Sequence, residues 1–239
     1  MSKLRTLFEQ YEAVVLFDTE TTGLDAKSDR IIELAAIRIE QTPTGGLRLA
    51  GKMDNFVRLP EGQRIPEKVV ELTGITDEIL EREGVRPEKA ADSFAKLLAG
   101  RRILVGAHNA QFDLLFVREL LRGKKIARLD FLDTVTVYKD RRPYPHKLAN
   151  AILAYDLEDK VKNSHRAIDD VLALLEVVKA MDEEREDLAT YVNLFGFNPK
   201  YGVSGARIVG VRYEPQEFNN KMTRPEQTLP AKVARRGQK

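Results

Sequence analysis

The sequence contains no cysteine, and this absence limits the chemistry that the protein can use. Disulfide bonds and thiolate metal sites are excluded, so any metal must be held by carboxylate or imidazole groups. A reducing compartment is consistent with this composition, and we expect a cytoplasmic protein. Histidine is scarce too, with three residues in 239, so the chain offers few candidates for an imidazole base.

Long apolar runs are also missing from the chain. No segment approaches the ~18 to 20 consecutive apolar residues that a membrane-spanning helix needs. The first eleven residues include Lys3, Arg5 and Glu9, and they lack the apolar core and cleavage site of a signal peptide. With 43% hydrophobic and 32% charged residues, the composition is that of a folded globular protein, for which we expect no membrane partner.

Charge is distributed unevenly along the chain. Residues 188–239 hold nine Lys or Arg against three Asp or Glu, whereas the whole chain has a net charge of only +2. A basic segment beside an acidic body favours a polyanionic partner, because Lys and Arg bind phosphate groups. A solvated tail that only keeps the protein in solution explains the same pattern, so charge alone does not decide the function.

The order of the predicted elements is typical of a mixed sheet covered by helices, which is an α/β fold. Apolar runs and alternation predict three early strands, at residues 13–17, 30–40 and 47–59. A fourth strand is expected at residues 103–107, after a helical stretch, and a short fifth just before Asp133. Helical apolar spacing predicts helices at residues 66–72, 77–82, 87–100, 110–122, 147–154 and 167–181. Thr76 and Asp133 are predicted to cap helices.

The pattern changes at residue 188, where glycine and proline begin to interrupt the chain at short intervals. We therefore divide the chain into a domain at residues 1–187 and a basic C-terminal extension at residues 188–239. The extension is expected to be irregular, with one hairpin within residues 206–213 and a frayed end.

Two acidic residues close the first predicted strand. Asp18 and Glu20 are two residues apart, so their side chains project from the same face of the strand and provide half of an oxygen cage for a cation. A polar strand end with solvated acids is the alternative interpretation of this pair. The turn at residues 21–23 offers backbone N–H groups that could meet an anion.

Two further acids lie on the apolar stripes of helices. Asp113 shares its stripe with Phe116 and Val117, and Asp170 shares its stripe with Leu174 and other apolar residues, whereas neighbouring Asp169 is predicted to point outward. Burying a carboxylate costs on the order of several kcal/mol of folding free energy, because the charged group loses its contact with water, unless it is paired or binds a metal. These positions therefore favour a metal-binding role.

His165 lies just before the last of these helices, for which Asn163 or Ser164 is a candidate N-cap. A lone histidine is more often a surface or core residue than a catalyst. Here the imidazole lies about one turn before an inward carboxylate, where it could take a proton from water near neutral pH. His108 is a candidate structural residue, and His146 has no assigned role.

Three segments together resemble the exonuclease motifs of the DEDDh family: residues 17–24 (FDTETTGL), 108–113 (HNAQFD) and 165–170 (HRAIDD). This family includes the proofreading epsilon subunit of bacterial DNA polymerase III and the exonuclease segment of the Gram-positive replicative polymerase. The resemblance covers about residues 13–179, and residues 72–76 (LTGIT) also match. In the last motif of this family, four residues separate the histidine from the aspartate, and this spacing selects Asp170. A subclass of the family has tyrosine four residues before that aspartate. It does not fit, because Arg166 occupies that position.

The resemblance implies a ribonuclease-H-like fold with a five-stranded mixed sheet flanked by helices. It implies that Asp18, Glu20, Asp113 and Asp170 bind two Mg²⁺ or Mn²⁺ ions ~3.5 to 4 Å apart, one activating water and the other stabilising the leaving 3′ oxygen. His165 would be the general base. The terminal nucleotide would be held by four further residues, namely Thr21, Thr22, Leu24 and Asn109.

The expected function is a 3′-to-5′ exonuclease acting on 3′ ends of single-stranded DNA or of RNA, in proofreading, repair or trimming, with a DNA polymerase subunit as a candidate partner. Two alternatives remain at this stage: a catalytically idle nucleic-acid-binding or polymerase-associated module that works through its basic tail, and an endonuclease on the same fold. Arg141 and Arg142 are candidate phosphate ligands, although surface arginines usually have no special role.

Overall fold

The structure is a computed structural model that describes residues 3–162 and 164–217. Its helices are α1 (Arg5–Phe8), α2 (Glu67–Thr73), α3 (Asp77–Glu83), α4 (Pro87–Leu97), α5 (Ala110–Leu120), α6 (Thr134–Arg141), α7 (Leu148–Ala154) and α8 (Ala167–Glu184). Its strands are β1 (Ala13–Thr21), β2 (Ile31–Gln41), β3 (Leu47–Phe56), β4 (Ile103–Ala107), β5 (Asp130–Asp133), β6 (Leu194–Phe197) and β7 (Arg212–Pro215). A short 3₁₀ helix spans Leu188–Tyr191.

Five strands form one mixed sheet in the order β3-β2-β1-β4-β5. The central strand β1 pairs antiparallel with β2 and parallel with β4, and β5 continues the parallel half. Strands β2 and β3 are antiparallel neighbours joined by a short turn, whereas the parallel strands are linked through helices. The predicted five-stranded mixed sheet is therefore confirmed.

Helices cover both faces of the sheet, because β1 is apolar on both sides. Val14 and Leu16 pack in one cluster with residues of α7 and α8. Val15 and Phe17, which alternate with them, pack in a second cluster with residues of α4 and α5. This alternation continues past the apolar run and decides which way each polar residue at the end of β1 points.

Helix termini follow local sequence signals in two predicted places. Thr76 caps α3, with its side-chain oxygen accepting the N–H of Ile79 at 3.3 Å. Asp133 caps α6 by accepting the N–H groups of Val135 and Thr136. Both predicted caps are confirmed.

The described part of the C-terminal extension packs on the sheet domain. Leu188, Tyr191 and Leu194 are buried in the same cluster as Val14 and the residues of α8. The division of the chain at residues 187 and 188 stays a prediction, and these buried contacts indicate that residues 188–194 contribute to one shared core. The predicted frayed end falls in residues 218–239, outside the described residues.

The predicted hairpin within residues 206–213 is wrong. Strand β7 pairs with β6, in parallel, with Leu194 opposite Arg212 and Phe197 opposite Pro215. A parallel pair cannot be closed by a tight turn, so a loop at residues 198–211 carries the chain back. The glycines that suggested a hairpin turn lie in this loop.

Arg141 and Arg142 are wrong as phosphate ligands. The guanidinium group of Arg141 is fully buried and forms ion pairs with Glu184 and Asp187. Arg142 pairs with Glu184 at 2.8 Å and lies over the ring of Tyr155. Both side chains join α6 to the end of α8, so their charge is used inside the fold.

Within the described residues, no helix has the length and apolar character needed to span a membrane.

Candidate active site

Three predicted metal ligands meet at the end of β1. Asp18 and Glu20 follow Val14 and Leu16 in alternation and therefore face α8, whose first turn carries Asp170. One carboxylate oxygen from each of these three acids lies within 4.8 Å of the other two. Asp170 is only 8% exposed, as its place on the apolar stripe predicted.

Asp113 approaches the same region from α5, on the opposite face of the sheet. Its Oδ1 accepts two hydrogen bonds from Thr19, from the backbone N–H at 3.1 Å and the hydroxyl group at 2.6 Å. The carboxyl group is buried and close enough to Asp18 to raise the pKa of that acid. Asp113 therefore borders the three-acid cluster with one oxygen held by the strand.

A β-bulge follows Glu20 directly. Glu20 pairs with Glu33, but Thr21 pairs with Ile31, so Ile32 is the extra residue in β2. Bulges bend a strand and re-aim side chains, and they are common beside active sites. The bulge ends regular pairing where the chain turns from the acids into the loop containing Leu24.

The crowded carboxyl groups raise one another's pKa. Burial raises the pKa of Asp18 well above its usual range, with further contributions from Asp113, Glu20 and Asp170. Burial and the charge of Asp170 raise the pKa of Glu20 to about 8. Burial also raises the pKa of Asp113 to about 7, against the hydrogen bonds from Thr19. These acids therefore resist carrying negative charge together.

The pKa of Asp170 is raised to about 7, mainly by burial and secondarily by neighbouring Asp169. A hydrogen bond from the backbone N–H of Ser164 opposes this increase. Divalent cations fit this donor set, because hard cations prefer carboxylate oxygens and their positive charge would remove the repulsion between the acids. The cluster thus has the donors, the spacing and the electrostatic demand of a divalent metal site.

The predicted base, His165, lies on the bend before α8 and is exposed. Its backbone has a φ of 55°, in the left-handed region that non-glycine residues rarely adopt. Such conformations are found at functional sites when surrounding contacts hold them. The role of His165 as a base stays a prediction.

The predicted N-cap of α8 is wrong for Ser164, and Asn163 lies outside the described residues. The Ser164 hydroxyl group donates to Asp169 at 2.7 Å. The N-cap position belongs to Arg166, which makes no side-chain capping bond. Instead, the Glu33 carboxylate on strand β2 accepts the backbone N–H of Ala167 at 3.0 Å and so caps α8 from outside the helix.

Glu33 and Arg166 form an ion pair behind the acids, which sequence reasoning missed. Both Nε and Nη2 of Arg166 donate to Glu33, the shortest contact being 2.8 Å, and the guanidinium group stacks on Phe56 at 4.8 Å. Glu33 is fully buried, and Glu20 is its cross-strand partner. The one available sequence signal was an acid inside the otherwise apolar run at residues 31–37.

The other two histidines have structural positions. His108 is bonded through Nδ1 to Thr134 at 2.9 Å and through Nε2 to the carbonyl group of His146 at 3.0 Å. Burial lowers the pKa of His108 to about 4, so its ring is neutral near pH 7. The interpretation of His108 as structural agrees with these contacts.

The four predicted nucleotide-binding residues lie at the edge of the cluster. The hydroxyl group of Thr21 donates to the carbonyl group of Gly23 at 2.6 Å, and that of Thr22 donates to Asp29 at 3.2 Å. Leu24 is 87% exposed, which is unusual for leucine. Asn109 is the N-cap residue of α5 and has a φ of 73°. Their substrate role stays a prediction.

Leu24 and Asn109 both line an open cleft of about 1150 Å³. The outer face of α5 contributes to this cleft, together with the loop after β1 and with Val57, Arg58 and Pro60. The cleft therefore runs beside the two elements that carry Glu20 and Asp113, since Leu24 follows Glu20 by four residues and Phe112 immediately precedes Asp113.

Comparison with known proteins identifies the family of this chain. Residues 15–178 match the RNase_T family model, described as Exonuclease. The chain therefore belongs to this exonuclease family.

Two relatives illustrate the match. The chain is 35% identical over 185 residues to the PolC-type DNA polymerase III of Bacillus subtilis, covering 72% of this chain and 12% of that protein. It is 32% identical over 179 residues to the DNA polymerase III subunit epsilon of Treponema pallidum, covering 72% of this chain and 77% of that subunit. The expected resemblance to these two kinds of protein is confirmed, and the chain spans only 12% of the length of the PolC-type relative.

The fold is also similar to that of E. coli exonuclease I, solved in complex with a dA16 oligonucleotide. The TM-score is 0.63 at 18% identity, covering 75% of this chain and 42% of the other. At this identity the likeness concerns the fold alone. The predicted ribonuclease-H-like fold is confirmed.

Proposed function

We propose that this protein is a 3′-to-5′ exonuclease that releases nucleoside monophosphates from the 3′ end of single-stranded DNA, using two Mg²⁺ or Mn²⁺ ions. The observation that carries the proposal is the cluster of Asp18, Glu20 and Asp170 oxygens within 4.8 Å. Family membership supports an exonuclease, and the metal requirement follows from the chemistry of the donors.

The four acids would act together as metal ligands in this proposal, and His165 would act as the base. Asp18, Glu20 and Asp170 would hold the cations through carboxylate oxygens, and Asp113 would contribute from the border of the cluster. When bound, the ions would supply charge stabilisation to the phosphate and to the leaving 3′ oxygen. His165 would accept the proton of the attacking water, since imidazole does so near neutral pH.

The terminal nucleotide would lie where the cleft meets the acids. Leu24, exposed and apolar, would pack on its base, and Asn109 would bind it from the start of α5. Thr21 and Thr22 would shape the turn between Glu20 and Leu24. A hydrolytic reaction needs no covalent nucleophile when the cations carry the charge stabilisation, which agrees with the absence of cysteine.

The substrate class and partner are inferred from the relatives. Exonuclease I of E. coli is described with a DNA oligonucleotide, which supports single-stranded DNA as the substrate, with RNA as the alternative. The PolC-type and epsilon relatives belong to DNA polymerase III, so a DNA polymerase subunit is the candidate partner.

The experiment follows oligonucleotides labelled at the 5′ end, in DNA and RNA versions, with Mg²⁺ or Mn²⁺. The expected result is a ladder that shortens by single nucleotides, faster for DNA, and that disappears with a chelator or in Asp18→Asn. Asp159→Asn changes an exposed acid that is not among the clustered acids, so this variant is the control and should remain active.

Other outcomes would overturn the proposal. Release of the 5′ label as the first product would show the opposite polarity, and cuts in a circular single strand would indicate an endonuclease. A folded protein that binds the oligonucleotide without shortening it would support the idle binding module.

A further inference from the structure

The loop at residues 198–211 borders the cleft although it lies outside the part of the chain that matches the exonuclease family, residues 15–178. Residues 204–206 of this loop line the same cleft as Leu24 and Asn109. The C-terminal extension thus contributes to the surface that leads away from the candidate active site.

The loop is held in place by a hydrogen-bond network centred on Gln111. The Nε2 group of Gln111 donates to the carbonyl groups of Ser204 at 3.0 Å and Ala206 at 2.6 Å. Its Oε1 accepts the hydroxyl group of Tyr213 at 2.5 Å, and the same hydroxyl group accepts the N–H of Ile208 at 2.8 Å. Gln111 lies between Asn109 and Asp113, so the loop is tied to the helix that carries a catalytic-site acid.

Close packing adds to these hydrogen bonds. Gly205 has a φ of 72°, and a Cβ atom there would lie 2.6 Å from Cδ1 of Leu115 on α5. Glycine adopts this left-handed conformation without strain, and any larger residue there would also require the end of the Leu115 side chain to move. The loop therefore packs closely on α5 at Gly205.

The cleft has the side chains that a single nucleic-acid strand requires. Five cationic and three acidic side chains line it: Lys27, Arg30, Arg58, Arg118 and Arg122, with Asp25, Asp29 and Glu119. Apolar groups of Leu24, Phe112 and Leu115 lie among them. Single-strand binding commonly combines a positively charged groove with apolar or aromatic contacts to the bases.

We propose that residues 204–206, within the loop at residues 198–211, form a wall of the binding site for the single strand on the 5′ side of its terminal nucleotide. The inference rests on the proposed function, since it places the 3′ end at the acid cluster. The wall would lower the KM for long strands and leave substrates too short to reach it unaffected.

Placing opposite charges at Ala206, an exposed residue of the wall, tests whether the wall contacts the strand. Ala206→Lys and Ala206→Glu are compared on a single-stranded DNA decamer and on a dinucleotide. The KM for the decamer should fall about threefold to tenfold in the lysine variant and rise by a similar factor in the glutamate variant, because one charge acts on nearby phosphates. The difference should shrink at high salt, and the KM for the dinucleotide should stay the same.

Val209 provides the matched control, because it is 91% exposed on the same loop and does not line the cleft. Val209→Lys and Val209→Glu should each change the decamer KM by less than about twofold. If both Ala206 variants shift the KM in the same direction, or match the Val209 pair, the loop is not a strand-binding wall. If the unaltered protein hydrolyses neither substrate, the proposed function itself fails.

Discussion

Asp18 lies among four other carboxyl groups, and their charges decide how the site responds to pH. Asp113, Glu20, Asp170 and Glu33 all raise its pKa, after the larger effect of burial. A carboxyl group whose pKa is raised in the folded state binds protons that the unfolded chain has already released. Without a cation, the folded protein therefore loses stability as pH rises from about 4.5, the ordinary value for glutamate, to about 8, the value for Glu20.

Glu20→Gln should make the metal-free protein more stable at pH 8.5, by on the order of 2 kcal/mol, because it removes a charge that the site resists. At pH 5, where the pKa of about 8 keeps Glu20 protonated, the two proteins should unfold alike. Urea unfolding in chelator at both pH values measures the difference. A glutamine variant that is less stable at pH 8.5 would contradict this electrostatic account.

Glu33 should act as a positioning residue, because it holds Arg166 and caps the helix that carries Asp170. Glu33→Gln should lower kcat about tenfold with a smaller change in KM, since it loosens the first turn of α8 without touching the strand-binding cleft. Stability should fall by about 1–3 kcal/mol, because the glutamine keeps some hydrogen bonds to the buried pair.

The control for Glu33 is Asp54→Asn. Burial and then the charge of Glu33 raise the pKa of Asp54, so Asp54 lies beside Glu33. Asp54→Asn keeps both the ion pair of Glu33 with Arg166 and the cap on Ala167, so kcat should stay unchanged. Steady-state kinetics on one oligonucleotide measures both variants. Equal losses in both would show a general structural effect instead of positioning.

Periodicity predicted the direction of Asp18, Glu20 and Asp170, because each acid follows the apolar pattern of its own element. Glu33 and Arg166 were missed because their contact joins residues 133 positions apart. Arg141 was misjudged for a related reason: its burial depends on Glu184 and Asp187, which no local pattern connects to it.

At the scale of elements, the strand and helix order was predictable where hydrophobic runs and caps are strong. The five-stranded sheet follows from such runs, and the caps at Thr76 and Asp133 are local. The pairing of β6 with β7 was not predictable in this way, because a parallel pair depends on how both strands pack against the domain. Glycines in the connecting loop gave a misleading turn signal.

Tyr213→Phe should loosen the loop at residues 198–211, because it removes the hydroxyl group that joins Gln111 to Ile208. We expect faster hydrogen exchange at residues 204–208 and a loss of about 1 kcal/mol in unfolding free energy. Tyr201→Phe, at a ring that is 71% exposed on the same loop, should change neither quantity. Equal exchange in the two variants would show that the network does not hold the loop.

At the scale of the whole molecule, the core extends beyond the predicted domain end at residue 187. Leu188, Tyr191, Leu194 and Phe195 are each at most 1% exposed. A chain ending at residue 187 should therefore be several kcal/mol less stable than the full chain, because removal of these residues exposes the core. Denaturant unfolding of the two chains measures the difference, and equal stability would support an independent domain at residues 1–187.

We expect the carboxylates at the end of β1 to hold divalent cations. Calorimetric titration with Mn²⁺ at pH 7.5, in two buffers of different ionisation enthalpy, measures this binding directly. Binding should be accompanied by proton release, since Glu20, with a pKa of about 8, is partly protonated at this pH, and the affinity should be at least tenfold weaker in Asp18→Asn. Equal Mn²⁺ affinity in the unaltered protein and in Asp18→Asn would contradict a metal site at these carboxylates.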